Sequence, residues 1–261
     1  MAVAILLATA SPAPAQDCRP AEGGAATAQI VAVTERFDFA LDDGRLARAA
    51  GLAPAPPDFG GRPAEAARAT LQAAVGGRPA RVEIVGPVDR WGRVPALIFL
   101  TAGAGAGEAG EAALAIGAAR VGDGREAGRC AAARLAAEAQ ARAAGLGLWA
   151  DPYYAVVAAE DRPGLALRIG QFALVEGRIR RVGAGRQRFY LDFGPRRDDF
   201  TVTVVKKAAA SFQANGAPLS ALAGARVRVR GLIEPGPTPR IDLVSPGALE
   251  VLEPAPRGGR P

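Results

Sequence analysis

Histidine is absent from the 261-residue sequence, and cysteine occurs only twice. Because histidine is the commonest general base and metal ligand, its absence excludes catalytic triads built on serine and histidine and zinc sites of the histidine type. Any hydrolysis would have to use carboxylates, arginine and an oxygen-ligated ion. Long apolar runs are also missing. About 20 apolar residues are needed to cross a bilayer, and Pro12 and Pro14 interrupt the apolar first 15, so no transmembrane span is expected.

The N-terminal apolar run ends in Ala13-Pro14-Ala15, a small-residue pattern typical of a signal-peptidase site. It predicts export, so that the mature protein would be periplasmic or secreted; a soluble N-terminal strand is the alternative. In an oxidising compartment Cys18 and Cys130 would form one disulfide. Two free buried thiols are the alternative for this pair.

Positive charge is in excess and is unevenly distributed. The sequence has 32 basic and 26 acidic residues, which give a net charge of +6 and a pI near 10.1. Residues 165–261 contain 16 basic and 8 acidic side chains, whereas the first 164 residues are slightly negative. This balance favours an anionic partner.

A charged turn opens onto an apolar strand at residues 88–100, VDRWGRVPALIFL. Apolar residues alternate from 94 to 100, so Arg93 lies where the turn becomes a strand. A cation fixed at the mouth of a strand suits phosphate, although an ordinary solvated arginine would give the same pattern.

The periodicity of the first half predicts five strands and several helices. Residues 29–39 indicate a strand pair or one bent strand, and residues 53–62 indicate a loop. Helices are predicted at residues 63–75 and 130–145. Five strands with helices at a corner and at the end indicate a small Greek-key barrel of the oligonucleotide/oligosaccharide-binding (OB) type, capped by helices. The predicted fold class is therefore mainly β with α.

The order of these segments resembles the thermonuclease (staphylococcal nuclease-like) family over residues 29–152. The turn DRWGR at residues 89–93 and the segment AEAQARAAGLGLW at residues 137–149 are the most diagnostic parts. The resemblance implies a five-stranded barrel, a calcium ion and cleavage of DNA or RNA phosphodiester bonds. It also implies two arginines on the phosphate and a glutamate that assists the attacking water.

The residues that match the family's site are only partly retained. Arg93 falls at the arginine of the D-R-Y/W-G-R turn, Arg48 at the arginine of the V-R-L-x-G-I-D-x-P-E segment, and Asp38 at an aspartate that binds calcium. Ala53 stands where the second calcium-binding aspartate belongs, and Pro56 where the glutamate belongs. Loss of a carboxylate removes charge and a coordination position, and loss of the glutamate removes a rate contribution of about 100-fold or more.

Three functional hypotheses follow from this pattern. The first is an exported, catalytically degenerate thermonuclease-like protein that binds nucleic acid or another polyanion through Arg48 and Arg93. The second is an active phosphodiesterase that uses Ca²⁺, in which Asp58 substitutes for a lost carboxylate. The third is an envelope module that binds protein or glycan. Added calcium with a nucleic-acid substrate separates the first two hypotheses. Salt separates the third from them, because polyanion binding weakens steeply as salt rises.

The second half shows short strands at regular spacing, which again indicate a small five-stranded OB-like barrel. Alternation places arginines along two of its strands, and aromatic residues 189, 190, 193 and 200 offer stacking surfaces. An ordinary solvated arginine face with the aromatic residues in the core is the alternative. The predicted nucleic-acid-binding arginines are Arg178, Arg180, Arg226, Arg228 and Arg230.

The predicted organisation has six parts. They are a signal peptide over 1–15, an N-terminal segment over 16–28, the thermonuclease-like OB domain over 29–152, a linker over 153–164, the basic OB-like barrel over 165–252 and a disordered tail over 253–261.

Overall fold

The computed structural model describes residues 18–256 except 22, 24, 55–56, 103–106, 124–127, 197–198, 215 and 237, and it describes the backbone alone for 57–63. The predicted signal peptide and residues 257–261 of the predicted tail lie outside this description. No helix in the described part is long and apolar enough to cross a bilayer.

The described residues of the first half form seven strands and three α-helices. In chain order they are β1 (Ala26–Val33), β2 (Asp38–Leu41), β3 (Leu46–Ala49), β4 (Leu52–Pro54), α1 (Pro57–Val75), β5 (Pro79–Ile84), β6 (Arg93–Leu100), α2 (Ala109–Ala115), β7 (Ala119–Val121) and α3 (Ala131–Ala143).

The second half contains eight strands and two short α-helices. They are β8 (Val157–Ala158), α4 (Arg162–Ala166), β9 (Phe172–Arg178), β10 (Arg181–Ala184), β11 (Arg188–Asp192), β12 (Thr201–Val205), α5 (Ala209–Ala214), β13 (Arg226–Leu232), β14 (Arg240–Leu243) and β15 (Leu249–Glu253).

Five strands of the first half close into a ring in the order β1-β2-β3-β6-β5. Neighbouring strands are antiparallel except β3 and β6, which are parallel. Apolar side chains fill the interior, and α1 packs against them through Ala67, Leu71 and Val75. These three residues share one helical face because they are spaced by four. The predicted strand pair before residue 40 and this helical face are both confirmed.

The predicted loop at residues 53–62 is wrong over most of its length. Leu52–Pro54 is strand β4, which pairs with β7, and α1 begins at Pro57 rather than at residue 63. Proline is tolerated at the first position of a helix because its missing N–H would have no partner there. The local proline and glycine content was therefore a poor guide to this segment.

Helix α3 buries two charged residues, Arg134 and Glu138, beside its buried alanines. Arg134 is completely buried and donates two hydrogen bonds of 2.9 Å to Glu108, and a third to the carbonyl oxygen of Ala50. Glu108 also caps α2 by accepting from the N–H groups of Gly110 and Glu111. A buried charge is tolerated when its hydrogen-bonding groups are paired in this way.

The predicted disulfide is confirmed. Cys18 is bonded to Cys130 across 112 residues of sequence. The bond attaches the segment before β1 to the start of α3, and Cys130 packs against Ala50, Leu97 and Phe99 in the interior.

The second half forms two four-stranded sheets where one closed five-stranded barrel was predicted. Their orders are β10-β11-β12-β14 and β15-β13-β9-β8. Both sheets contribute to one apolar core, for example through Val175, Val202 and Val229. The predicted linker at 153–164 is largely structured, because β8 within it pairs with β9. The tail was predicted to begin at residue 253, but Glu253 is the last residue of β15.

Buried polar contacts join the two halves. Glu138 of α3 accepts hydrogen bonds of 2.9 and 3.0 Å from Arg230 of β13, and both side chains are buried. Arg120 of β7 donates to the carbonyl oxygen of Phe172 at 2.8 Å. Desolvation lowers the pKa of Arg120 to about 10, so this side chain is still charged at neutral pH.

Candidate functional site

Three of the sequence-predicted site residues meet at one cavity in the first half. The β2–β3 register places Asp38 opposite Arg48, and the parallel pairing of β3 with β6 places Arg93 opposite Leu46 at the start of β6. Asp38, Arg48 and Arg93 all line a cavity of about 230 Å³. Residues far apart in sequence therefore converge because three adjacent strands of the ring carry them.

The position of Arg93 is fixed by the turn that precedes it. Asp89 accepts hydrogen bonds from the N–H groups of Trp91 and Arg93 with one oxygen, and from the Arg93 Nε at 2.8 Å with the other. Partial burial acts to raise the pKa of Asp89, but these hydrogen bonds outweigh it and the net pKa is lowered. The guanidinium of Arg93 thus has a fixed aspartate on one side, and its Nη1 lies on the side of Asp38, 3.3 Å from that carboxylate.

Asp38 is almost completely buried beside this guanidinium. Desolvation raises its pKa, although the charges of Arg93 and Arg48 oppose the shift. Its backbone N–H donates to the hydroxyl of Thr34 at 3.1 Å, and the N–H of Thr34 donates to the Asp38 carbonyl at 2.8 Å. This closed turn holds the carboxylate at the wall of the cavity.

The same turn contains the one non-glycine residue with positive φ in the described part of the chain. Phe37 has φ of 60°, a left-handed conformation that costs energy for a bulky residue. Its phenyl group is buried in the apolar interior enclosed by the five strands. The strained residue directly precedes Asp38, so core packing of Phe37 and placement of Asp38 are coupled.

Arg36 is a pocket residue that the sequence analysis missed. Its side chain is exposed and lines the cavity together with Arg48 and Arg93. Strand alternation gave no signal for it, because Arg36 lies in a turn and the left-handed Phe37 separates it from Asp38. The described part of the cavity wall therefore carries three arginines and one aspartate.

These residues do not fit the calcium ion that the resemblance implies. Calcium takes six to eight oxygen ligands, whereas the described wall offers one carboxylate that already contacts Arg93. Leu52 and Pro54 flank the cavity, and Ala53 between them pairs with β7. No group of three or more acidic, cysteine or histidine side chains suited to a metal occurs among the described residues. Asp58 lies in α1, but its side chain is outside the description.

The alternating arginines of β13 are paired rather than free. Arg226 contacts Glu176 at 2.5 Å and Glu253 at 3.1 Å, and Arg228 contacts Glu176 at 2.8 Å and Glu250 at 3.4 Å. The register explains this, because Arg226 faces Glu253 in β15 and Arg228 faces Glu176 in β9. The strand is a ladder of ion pairs.

The predicted nucleic-acid contact at Arg230 is wrong. Its side chain has no solvent exposure and is bound by Glu138 and Glu250, so a ligand cannot reach it. Arg178 is half exposed, but it pairs with Glu253 at 2.6 Å. Arg180 is exposed; it lines one cavity together with Arg178 and a second one together with Tyr190.

No family model matches the chain, and no curated protein shows significant sequence similarity to it.

Proposed function

We propose that the first half is a thermonuclease-like, OB-type barrel that binds a phosphate group of nucleic acid or another polyanion without efficient hydrolysis. The observation that carries this proposal is the convergence of Arg48 and Arg93 on one cavity beside Asp38. Residues matched to a family pattern from separate segments would not be expected to meet in this way by composition alone.

The charge and shape of the cavity support anion binding. Arg36, Arg48 and Arg93 face one buried carboxylate, so the wall is positive overall. Guanidinium groups donate paired hydrogen bonds to phosphate oxygens. Asp89 fixes the Nε side of Arg93, and the Nη1 contact to Asp38 is longer at 3.3 Å. A phosphate oxygen could replace that longer contact without disturbing the turn.

The same wall does not support water activation. Hydrolysis needs a carboxylate that positions or deprotonates water, and burial raises the pKa of the only carboxylate that lines the described wall, Asp38. That group already contacts Arg93. Binding can persist under these conditions, because it requires the arginines alone.

Trp91 provides a local test of binding. Its ring is 57% exposed, and its centroid lies 4.9 Å from the guanidinium of Arg93. In a Trp149→Phe background, Trp91 is the only tryptophan, so its emission should change when inorganic phosphate or a short oligothymidylate fills the cavity. Arg93→Gln or Arg48→Gln should weaken this response roughly 10- to 100-fold, the value of a lost charged hydrogen bond.

Arg45→Gln is the matched control, because it removes the same charge from the β2–β3 hairpin. Arg45 pairs with Asp43 at 2.6 Å and does not line the cavity, so this variant should bind as the wild type does. Equal loss in all three variants would reduce the effect to net charge and refute a specific pocket.

Two other functions, an active phosphodiesterase and an envelope module, predict different results from those expected for a binding protein without efficient hydrolysis. Digestion of DNA or RNA that requires Ca²⁺ and disappears in Arg93→Gln would establish an active phosphodiesterase. Binding that is insensitive to salt would favour an envelope module for protein or glycan, because phosphate contacts weaken with added salt. Export also stays part of the proposal, and the Cys18–Cys130 bond supports it, since such bonds persist in oxidising compartments.

A further inference from the structure

The sheet β10-β11-β12-β14 has one buried and one solvent-facing side. Two cross-strand rows form the outer side: Arg181, Asp192, Thr201 and Arg240 make one, and Gly183, Tyr190, Thr203 and Asp242 make the next. Residues between these rows, such as Leu191, Val202 and Ile241, point into the core. Strand alternation therefore collects the polar residues of four strands on one surface.

This outer surface contains a groove of about 960 Å³ with a positive lining. Among the described residues, four arginines and one aspartate line it: Arg180, Arg181, Arg196, Arg240 and Asp192. Arg181 pairs with Asp192 at 2.6 Å, and Arg240 pairs with Glu234 at 2.7 Å. Within the described part of the chain, no ion pair engages the side chain of Arg180 or Arg196. The groove thus offers at least two exposed guanidinium groups to an anionic ligand.

Tyr190 is the aromatic residue among those that line this groove. Its side chain is 41% exposed, whereas the neighbouring aromatic residues Phe193 and Phe200 are buried in the core. Beside it on β10 lies Gly183, and a Cβ atom added there would meet no atom within 4 Å. The Tyr190 ring lies over Gly185, where an added Cβ atom would be 2.8 Å from the ring carbon Cε2, so the open space is on the Gly183 side. The small side chains of Thr201 and Thr203 also line the groove.

We propose that this groove is a second site, distinct from the cavity lined by Asp38, Arg48 and Arg93, and that it binds single-stranded nucleic acid with a base stacked on Tyr190. Every base has a flat π surface that an exposed aromatic ring can accept, and the arginines at the rim would contact the backbone phosphates. A strand is favoured over a duplex because paired bases are not available for stacking. A neutral glycan would also stack on tyrosine, but it would not use the excess positive charge.

The test measures binding of a labelled oligothymidylate of about ten nucleotides, near the length that small β-barrel modules cover, by fluorescence anisotropy at low salt. Tyr190→Ala should weaken binding about 5- to 100-fold, and Tyr190→Phe should bind nearly as well as the wild type. Gly183→Val should also weaken binding, because it fills the open space without a charge change. The double variant Arg180→Gln/Arg196→Gln should lower the slope of log affinity against log salt by about 1.4.

Control variants distinguish binding in this groove from binding elsewhere on the molecule. Arg226→Gln removes a paired arginine from the other sheet and should bind as the wild type does. In an Arg93→Gln background, Tyr190→Ala should still weaken binding. Failure of the phosphate site at Arg93 and failure of the groove at Tyr190 are therefore distinguishable. Thermal unfolding of each variant checks that the fold is retained.

Three results would overturn the inference. They are no oligonucleotide binding at low salt, equal binding by Tyr190→Ala and Tyr190→Phe, and competition by neutral glycans with no dependence on salt.

Discussion

Replacing Glu138 by alanine should destabilise the protein by about 3–5 kcal/mol, the typical cost of leaving a buried ion without its partner. Glu138 lies in α3, and both of its oxygens contact the Nη1 of Arg230 in β13, at 2.9 and 3.0 Å. One oxygen also accepts the N–H of Val121 at 2.7 Å. The substitution therefore leaves a buried guanidinium with Glu250 as its remaining carboxylate, and a buried N–H without an acceptor.

Urea unfolding followed by circular dichroism measures this loss. Arg226→Ala is the control, because that arginine is half exposed and its ion pairs should contribute less than about 1 kcal/mol. Glu138→Gln should fall between the two, since the amide oxygen can still accept the N–H of Val121. A loss for Glu138→Ala no larger than that for Arg226→Ala would refute the argument that this pair fastens the two halves together.

Three further predictions concern the pH dependence, the disulfide and one glycine. Burial raises the pKa of Asp38 above its usual 3.8, so the folded state binds a proton more readily than the unfolded state does, and the free energy of unfolding should fall as pH rises from 3.8 through the raised pKa. Asp38→Asn should flatten this pH dependence, measured as the urea midpoint at each pH. Parallel pH curves for the wild type and the variant would contradict the prediction. Reduction of the disulfide, which spans 112 residues, should cost up to about 5 kcal/mol by loop entropy, read as a lower melting temperature in dithiothreitol; an unchanged melting temperature would contradict it. Gly147→Ala should lower the free energy of unfolding by more than about 2 kcal/mol, because φ is 54° and the new Cβ would lie 2.3 Å from the Gly117 carbonyl oxygen. Gly44→Ala, at a positive φ but with open space around the new Cβ, should lower it by only about 1 kcal/mol. Thermal unfolding of both variants measures the difference.

The candidate site was predictable where a local pattern fixed a residue at the mouth of a strand. The DRWGR turn and the alternation after it placed Arg93, because a hairpin turn followed by an alternating strand leaves few choices for side-chain direction. Arg48 was expected only from the resemblance to the thermonuclease family. Arg36 was missed because its role depends on the left-handed turn at Phe37, which packs that ring into the core. A segment read as an extended strand gives no indication of such a turn.

The sequence by itself determined the local elements, such as α3 and the buried face of α1, because helical spacing is a property of neighbouring residues. It also limited a disulfide to one pairing, since only two cysteines are present, and the structure decided for the bond over two free thiols. The tertiary structure alone decided what each arginine of RVRVR does. Arg226 and Arg230 belong to the same alternating pattern, yet one is half exposed and the other completely buried. The physical reason is what lies opposite: solvent and Glu253 in one case, and the carboxylate of Glu138 from the other half of the chain in the second.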